Sequence, residues 1–512
     1  MSLITPTAHL RGVRAFLLFA AALLIVGCLE PGAETSAERA KRLGAAPKAA
    51  TVGFDPQWAE LAVFEKSGHN HKDPSHHEGR TTANFEILGW DPLVTDHYGR
   101  TSGGHLCGDT AEKNGKRLAV IHSWVSDVAA ILIDVTDAAK PTKLGEFVMP
   151  NAHVYDLGMT PDQRFILLAT DAGGLGPNDD DMATPLAAPY FEDACTGERT
   201  ILAGPEQDLP YQNGVVLVDI ANPKAPKFAD YLFLGGGHSI QVKDLGGRTF
   251  ALVTSATFSL IEVTAQGKLS PSSIFLDCGG TTRKCSYHDG ALQIHPITKQ
   301  RFAYVGDGTS LAIFNINDPS QPKLVGRWQD WAKIGTKIVP TFVHEVLPME
   351  VLWDGRHYTF IGEECGSRRA NTPTCMVALL DTTDPTKITE VGGWTLPIDV
   401  AWSGGFLFSL HYIGVSNRTL FVSNYHGGLW AVDVSTPEAM KTMPTIGVFQ
   451  PTNVSPKPIG KPTSYDHAPA ILDVNPLADG TLITYDHTSG VYAVRFDASN
   501  PAPAPPPWPL NG

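Results

Sequence analysis

The chain has 512 residues, a net charge of −14 and 43% hydrophobic residues, with 49 Gly and 39 Pro. So acidic a surface repels phosphate backbones and argues against nucleic acid as a partner. The length suggests several domains unless a repeat fills it, and beyond the N-terminus no stretch keeps apolar residues at helical spacing for long.

Residues 1–27 read as a secretory signal. Arg11 and Arg14 precede an apolar run, Ala15 to Val26, that is shorter than the roughly 20 residues needed to span a bilayer. The run ends in Ile25-Val26-Gly27-Cys28, which resembles the bacterial lipobox. That resemblance implies cleavage before Cys28, lipidation of its thiol and anchorage by acyl chains, with Leu29 in place of Asp favouring the outer membrane. An uncleaved anchor and an ordinary secretory peptide are the plainer alternatives. Residues 28–52 carry Ala, Glu, Lys and Gly without periodicity and read as a flexible tether. Residues 53–83 form a His-rich segment in which His69, His71, His76 and His77 suit Zn or Cu, unless the segment is simply solvated.

From residue 84 to residue 497 the chain repeats one phrase seven times. A His opens a strand, a second strand ends in a polar residue, and a third strand is aliphatic. The phrase opens at His105, His153, His238, His288, His344, His411 and His467. Its third strand recurs as Ile131-Leu132-Ile133-Asp134, Val216-Leu217-Val218-Asp219 and Ala378-Leu379-Leu380-Asp381, among others. Self-similarity at a period of about 40 to 50 residues predicts an all-β fold, a single seven-bladed β-propeller, because one blade cannot bury its own faces. The last copy supplies three strands and then runs into a Pro-rich tail, residues 498–512, which cannot donate to a ladder. Phe85-Glu86-Ile87-Leu88-Gly89-Trp90 matches the outer-strand phrase Lys323-Leu324-Val325-Gly326-Arg327-Trp328. The N-terminal strand, residues 84–90, is therefore expected to close the last blade and remove the open edges.

The turns that follow the third strands read Asp219-Ile220-Ala221-Asn222-Pro223, Asn315-Ile316-Asn317-Asp318-Pro319, Asp381-Thr382-Thr383-Asp384-Pro385 and Asp433-Val434-Ser435-Thr436-Pro437. With their strands they resemble the LVIVD repeat of bacterial and archaeal cell-surface proteins. The resemblance implies an extracytoplasmic propeller and says little about chemistry. Two copies depart from it: Glu262-Val263-Thr264 lacks the Asp-Pro turn, and Arg495 stands where an Asp is expected.

Strand alternation places the seven axial histidines and the ends of the second strands at one mouth of the central channel. The second set comprises His122, Asp171, Asp307, Glu363 and Asp486, with His426 and His487 close behind. Zn takes only four ligands, so a metal would use a subset of the ring. A His present in every repeat also has a structural reading, since Gly104-His105 and Gly237-His238 are similar to the structural Gly-His of WD-repeat propellers. Propellers with axial histidines include the carotenoid-cleaving oxygenases, which hold iron with four of them, an analogy of architecture only. Six cysteines remain beside Cys28, an even number in an oxidising compartment. Cys278 with Cys285 and Cys365 with Cys375 are spaced for local bridges, leaving Cys107 for Cys195; free buried thiols are the alternative.

The leading functional reading is an outer-membrane or cell-surface lipoprotein whose propeller binds a protein or small-molecule ligand through its top face, as a binding or assembly module. The second is a metal-dependent oxidative enzyme holding Fe, Cu or Zn with a subset such as His105, His238, His344 and His467. The third is extracytoplasmic metal binding or delivery led by residues 69–77.

Overall fold

Third strands such as Val128–Asp134 and Met376–Asp381 are buried along nearly their whole length. Their continuous aliphatic runs reflect a sheet covered on both faces, where alternation with polar residues has no use. The computed structural model describes residues 82, 84–91, 93, 105–123, 128–149, 154–170, 190–192, 199–201, 213–255, 258–275, 287–308, 310–329, 331–334, 337–340, 343–364, 376–396, 409–425, 427–450, 470–487 and 490–500.

These residues form seven four-stranded antiparallel sheets, the blades of a β-propeller, each running from an inner to an outer strand. Blade 1 comprises His105–Lys113, Lys116–Ser123, Val128–Asp134 and Thr142–Val148, and blade 2 comprises Val154–Met159, Phe165–Thr170, Gly214–Asp219 and Lys227–Phe233. Blade 3 is Ser239–Asp244, Thr249–Thr254, Phe258–Val263 and Leu269–Phe275, and blade 4 is Gly290–Ile294, Arg301–Gly306, Ser310–Asn315 and Lys323–Gln329. Blade 5 is Val343–Pro348, Tyr358–Glu363, Met376–Asp381 and Thr389–Thr395, and blade 6 is Ile413–Ser416, Thr419–Ser423, Leu429–Asp433 and Thr445–Phe449. Blade 7 takes Ile471–Pro476, Thr481–Asp486 and Gly490–Phe496 from the C-terminal part and Phe85–Asp91 from the N-terminal part. The closure expected from the sequence is thus formed, with Phe85 opposite Phe496 and Trp90 opposite Tyr492.

The hydrophobic core is divided among the interfaces between neighbouring blades. Blades 5 and 6 enclose Phe360, Leu379, Trp394, Leu420 and Trp430, and blades 7 and 1 enclose Ile131, Ile133, Ile483 and Tyr485. Each large side chain buried there contributes about 1.5–3 kcal/mol. Among the described residues no apolar cluster of comparable size lies at the axis, where polar side chains such as His288, His344, Asp289 and Glu345 are found.

The turn after the third strand works as its sequence suggests. Asp134, Asp219, Asn315, Asp381 and Asp433 each accept the backbone N–H two residues on, at 2.8–3.0 Å. In blade 6 this turn extends into a short helix, Pro437–Thr442, capped by Thr436 and unforeseen in the periodicity. Among the described residues no helix is long and apolar enough to cross a membrane. The carbonyls at these turns press on glycines of the preceding outer strand. A Cβ on Gly326 would lie 1.8 Å from the Pro385 carbonyl oxygen, and one on Gly392 would lie 1.9 Å from that of Met440. Both glycines sit beside a β-bulge that bends the outer strand around its neighbour.

Candidate metal centre at the propeller axis

The axial histidines are held by their backbones. The N–H groups of His238, His288 and His411 donate to the carbonyls of Thr254, Gly306 and Ser423 at the ends of their own second strands, at 2.8–2.9 Å. Their rings then project into the channel, where blades 3 to 6 bring four of them into one arc. Ring centroids are 4.5 Å apart for His238 and His288, 4.1 Å for His288 and His344, and 4.5 Å for His344 and His411. The Nε2 atoms of His238 and His288 are 2.9 Å apart, so one ring donates and the other accepts. His411 Nδ1 lies 3.0 Å from the Leu472 carbonyl, which can only accept, so Nδ1 carries the proton and Nε2 the lone pair.

Glu364, one residue past the second strand of blade 5, joins this arc. Its Oε2 is 3.7 Å from His344 Nε2 and its Oε1 accepts 2.6 Å from Tyr425 Oη. One ligand atom each from His288, His344 and Glu364 lies within 4.8 Å of the others. Burial pulls the His238 imidazole down to about 4 and that of His411 to about 3. His288 and His344 lie well below the usual value, through burial first and their neighbouring histidines second. Burial pushes the Glu364 carboxyl up to about 7, against the Tyr425 hydrogen bond. Neutral imidazoles beside a carboxyl are the donor set of a transition-metal site.

Around the same axis lies a buried set of acids and their partners. Ser239 Oγ is 2.5 Å from Asp289 Oδ1 and 3.1 Å from Asp156 Oδ2. A hydroxyl has one proton, so Ser239 shares it between the two carboxyls, with the shorter bond to Asp289. Burial holds Asp156, Asp289 and Glu345 above the ordinary carboxylate range and brings Asp473 to about 7.

The other histidines show what a structural role looks like here. His357 donates from Nε2 to the Met349 carbonyl at 3.0 Å and accepts at Nδ1 from Thr382 Oγ1 at 2.8 Å. Burial, aided by His295, lowers it to about 4, against an unfolded value of about 6.5, a gap that corresponds to about 3 kcal/mol. The unfolded chain takes up the proton first. The stabilisation is therefore complete above about pH 6.5 and is lost as pH falls from there through about 4. His357→Gln is expected to lower the melting temperature at pH 7.5, with the gap to wild type narrowing at pH 4.5; a gap that stays constant would contradict this assignment. The axial rings differ in also meeting one another across blade boundaries.

The described acids at the second-strand ends make local hydrogen bonds. Glu363 accepts from Met376 N at 3.3 Å and Asp486 from Ala470 N at 2.8 Å, while Asp307 pairs with Arg327 and Ser310. His122 is fully buried in blade 1, its Nε2 accepting from Cys107 N, and His487 is 7% exposed. His105 opens the inner strand of blade 1 opposite Ser123. The expected Cys107–Cys195 bridge is not formed: Cys107 is a free thiol, enclosed by Tyr425, Ala470 and Leu472. His153, Asp171, Cys195, Cys278, Cys285, Cys365, Cys375, His426 and His467 lie outside the described residues, as do Cys28 and residues 69–77. The set His105, His238, His344 and His467 skips His288, which stands between His238 and His344. Sequence reading also missed Glu364 and Tyr425; the Glu363-Glu364 pair at a strand end was the available signal, since neighbours on a strand point to opposite faces.

Comparison with solved structures finds matches of low identity. The periplasmic gluconolactonase PpgL of Pseudomonas aeruginosa is 13% identical, covering 75% of this chain and 96% of that one, with a TM-score of 0.41. The Cps50 (Swd1) β-propeller domain of Myceliophteria thermophila is 10% identical, covering 77% and 98%, with a TM-score of 0.46. A functionally unknown protein from Desulfotomaculum acetoxidans is 13% identical, covering 68% and 90%, with a TM-score of 0.41. No curated protein matches the chain. The LVIVD repeat matches residues 299–330, which run from the second-strand turn of blade 4 to the end of its outer strand. The chain is thus a seven-bladed β-propeller whose fourth blade matches the LVIVD repeat.

Proposed function

We propose that this chain is an extracytoplasmic metalloprotein, anchored at the outer membrane through Cys28, whose propeller axis holds one divalent transition-metal ion between His288, His344 and Glu364. The observation that supports it is the arc of four neutral imidazoles at ring spacings of 4.1–4.5 Å with a carboxyl beside it. Two imidazoles and one carboxylate with open positions suit Fe(II), and imidazole also suits Zn(II) and Cu(II). His238 and His411 complete the wall, and Tyr425 orients Glu364 from outside the donor set. Fe or Cu would make the centre an oxidative one.

The test is metal content. Full-length chain from the detergent-solubilised membrane fraction, purified without chelator or His-tag and reconstituted anaerobically with Fe(II), Zn(II) or Cu(II), is expected to hold one equivalent more than His344→Ala of unchanged melting temperature. Equal metal in both overturns the reading. The histidines would then line a metal-free recognition surface, and the propeller would stand as a binding or assembly module.

A further inference from the structure

A second donor cluster lies in the channel wall where blades 1 and 2 meet. One ligand atom each from Cys107, His122 and Asp156 lies within 4.8 Å of the other two. Cys107 and Asp156 come from adjacent inner strands, and His122 comes from the second strand of blade 1. Their exposures are 2%, 0% and 7%. We propose that these three residues form a second metal site, a thiolate–imidazole–carboxylate centre for Zn(II), distinct from the histidine–glutamate centre and sharing no ligand with it.

Three features of the surroundings fit this role. Asp156 is held in place by Leu157 N at 2.8 Å on Oδ1 and by Ile240 N at 2.9 Å on Oδ2, and a carboxylate keeps further lone pairs for a metal. Zinc accepts S, N and O donors at about 2.0–2.3 Å, which makes tetrahedral edges of roughly 3.3–3.6 Å, so a contraction of at most roughly 1.5 Å closes the site. The buried thiol is also surrounded by acids: burial first, then Asp156 and Asp473, hold Cys107 well above its usual value. A divalent cation reverses that balance and deprotonates the thiol outright. The S–H proton leaves as the S–Zn bond forms, so uptake releases at least one proton and no oxidant is involved.

Cobalt(II) is the probe, because a Co(II)–thiolate bond gives a charge-transfer band in the near ultraviolet that imidazole and carboxylate do not. Apo full-length chain titrated with Co(II) is expected to show the band, Cys107→Ser to lose it together with one equivalent of bound metal, and His344→Ala to keep it. Excess Zn(II) should displace the band. A band that persists in Cys107→Ser, or its absence in wild type at saturating Co(II), overturns the proposal. Where Cys107→Ser yields no folded protein, Asp156→Asn carries the test. It keeps thiol and volume and is expected to weaken the band-forming affinity at least about tenfold; unchanged affinity overturns the site. The His344→Ala arm separates a failure here from a failure of the histidine–glutamate centre.

Discussion

Deletion of residues 84–91 is expected to abolish the cooperative melt of this protein rather than lower its midpoint. The strand Phe85–Asp91 is the outer strand of blade 7, and no other described segment pairs with the free side of Gly490–Phe496. Its first residue anchors an aromatic cluster: the Phe85 ring lies 4.8 Å from Phe496, 6.0 Å from Phe449 and 6.4 Å from Phe421, so it ties blade 7 to blade 6. Asn84 adds a side-chain bond to the Ile446 carbonyl at 2.7 Å, and its own carbonyl accepts from Asp497 N at 2.8 Å. Phe85→Ala by itself should cost about 3–5 kcal/mol, a large part of a domain's total of about 5–15 kcal/mol. Losing the whole strand also exposes Tyr492 and Val494 on an unpaired edge that can recruit another chain. Thermal unfolding by circular dichroism with light scattering decides the matter. A deletion variant that melts cooperatively within a few degrees of wild type, without aggregation, would show that ring closure does not hold the fold.

The blade count and the closure were legible because they rest on local chemistry repeated along the chain. A third strand covered on both faces must be aliphatic throughout, and Phe85 to Trp90 carries the same outer-strand phrase as Lys323 to Trp328. The Asp and Asn caps were equally legible, since the accepting side chain and the donating N–H lie two residues apart. The axis was not. Neighbours on a strand point to opposite faces, and by that rule Asp289 and Glu345 have nothing to do with His288 and His344. An inner strand, however, shows its two faces to the two neighbouring blades, and close to the axis both directions open on the channel. That is how Ser239 reaches Asp156 in one neighbour and Asp289 in the other. Which histidines meet was hidden for a similar reason. Contact between His238, His288 and His344 depends on the angle between blades, and no one-dimensional pattern encodes it.

That angle is fixed by the same close contacts that make two adjacent glycines unequal. Added Cβ atoms at Gly392 and Gly393 would meet neighbours at nearly the same distance, 1.9 Å and 1.7 Å, but the atoms met differ in kind. At Gly392 the obstacle is the Met440 carbonyl oxygen, part of the helix Pro437–Thr442 that blade 6 presses against blade 5. At Gly393 it is the Met376 Cε methyl, the free end of a flexible side chain that can change rotamer. Gly392→Ala can be accommodated only if the two blades separate, so its cost should reach or exceed the upper end of the about 1–3 kcal/mol typical of overpacking. Gly393→Ala should cost clearly less. Chemical denaturation of the two variants gives the comparison directly, and the order matters more than either value. Equal losses would mean that the blade 5–blade 6 contact yields as easily as a methionine side chain. The inter-blade angle would then be soft, and the spacing of the His344 and His411 rings across that boundary would be too loose to keep a ligand set in register.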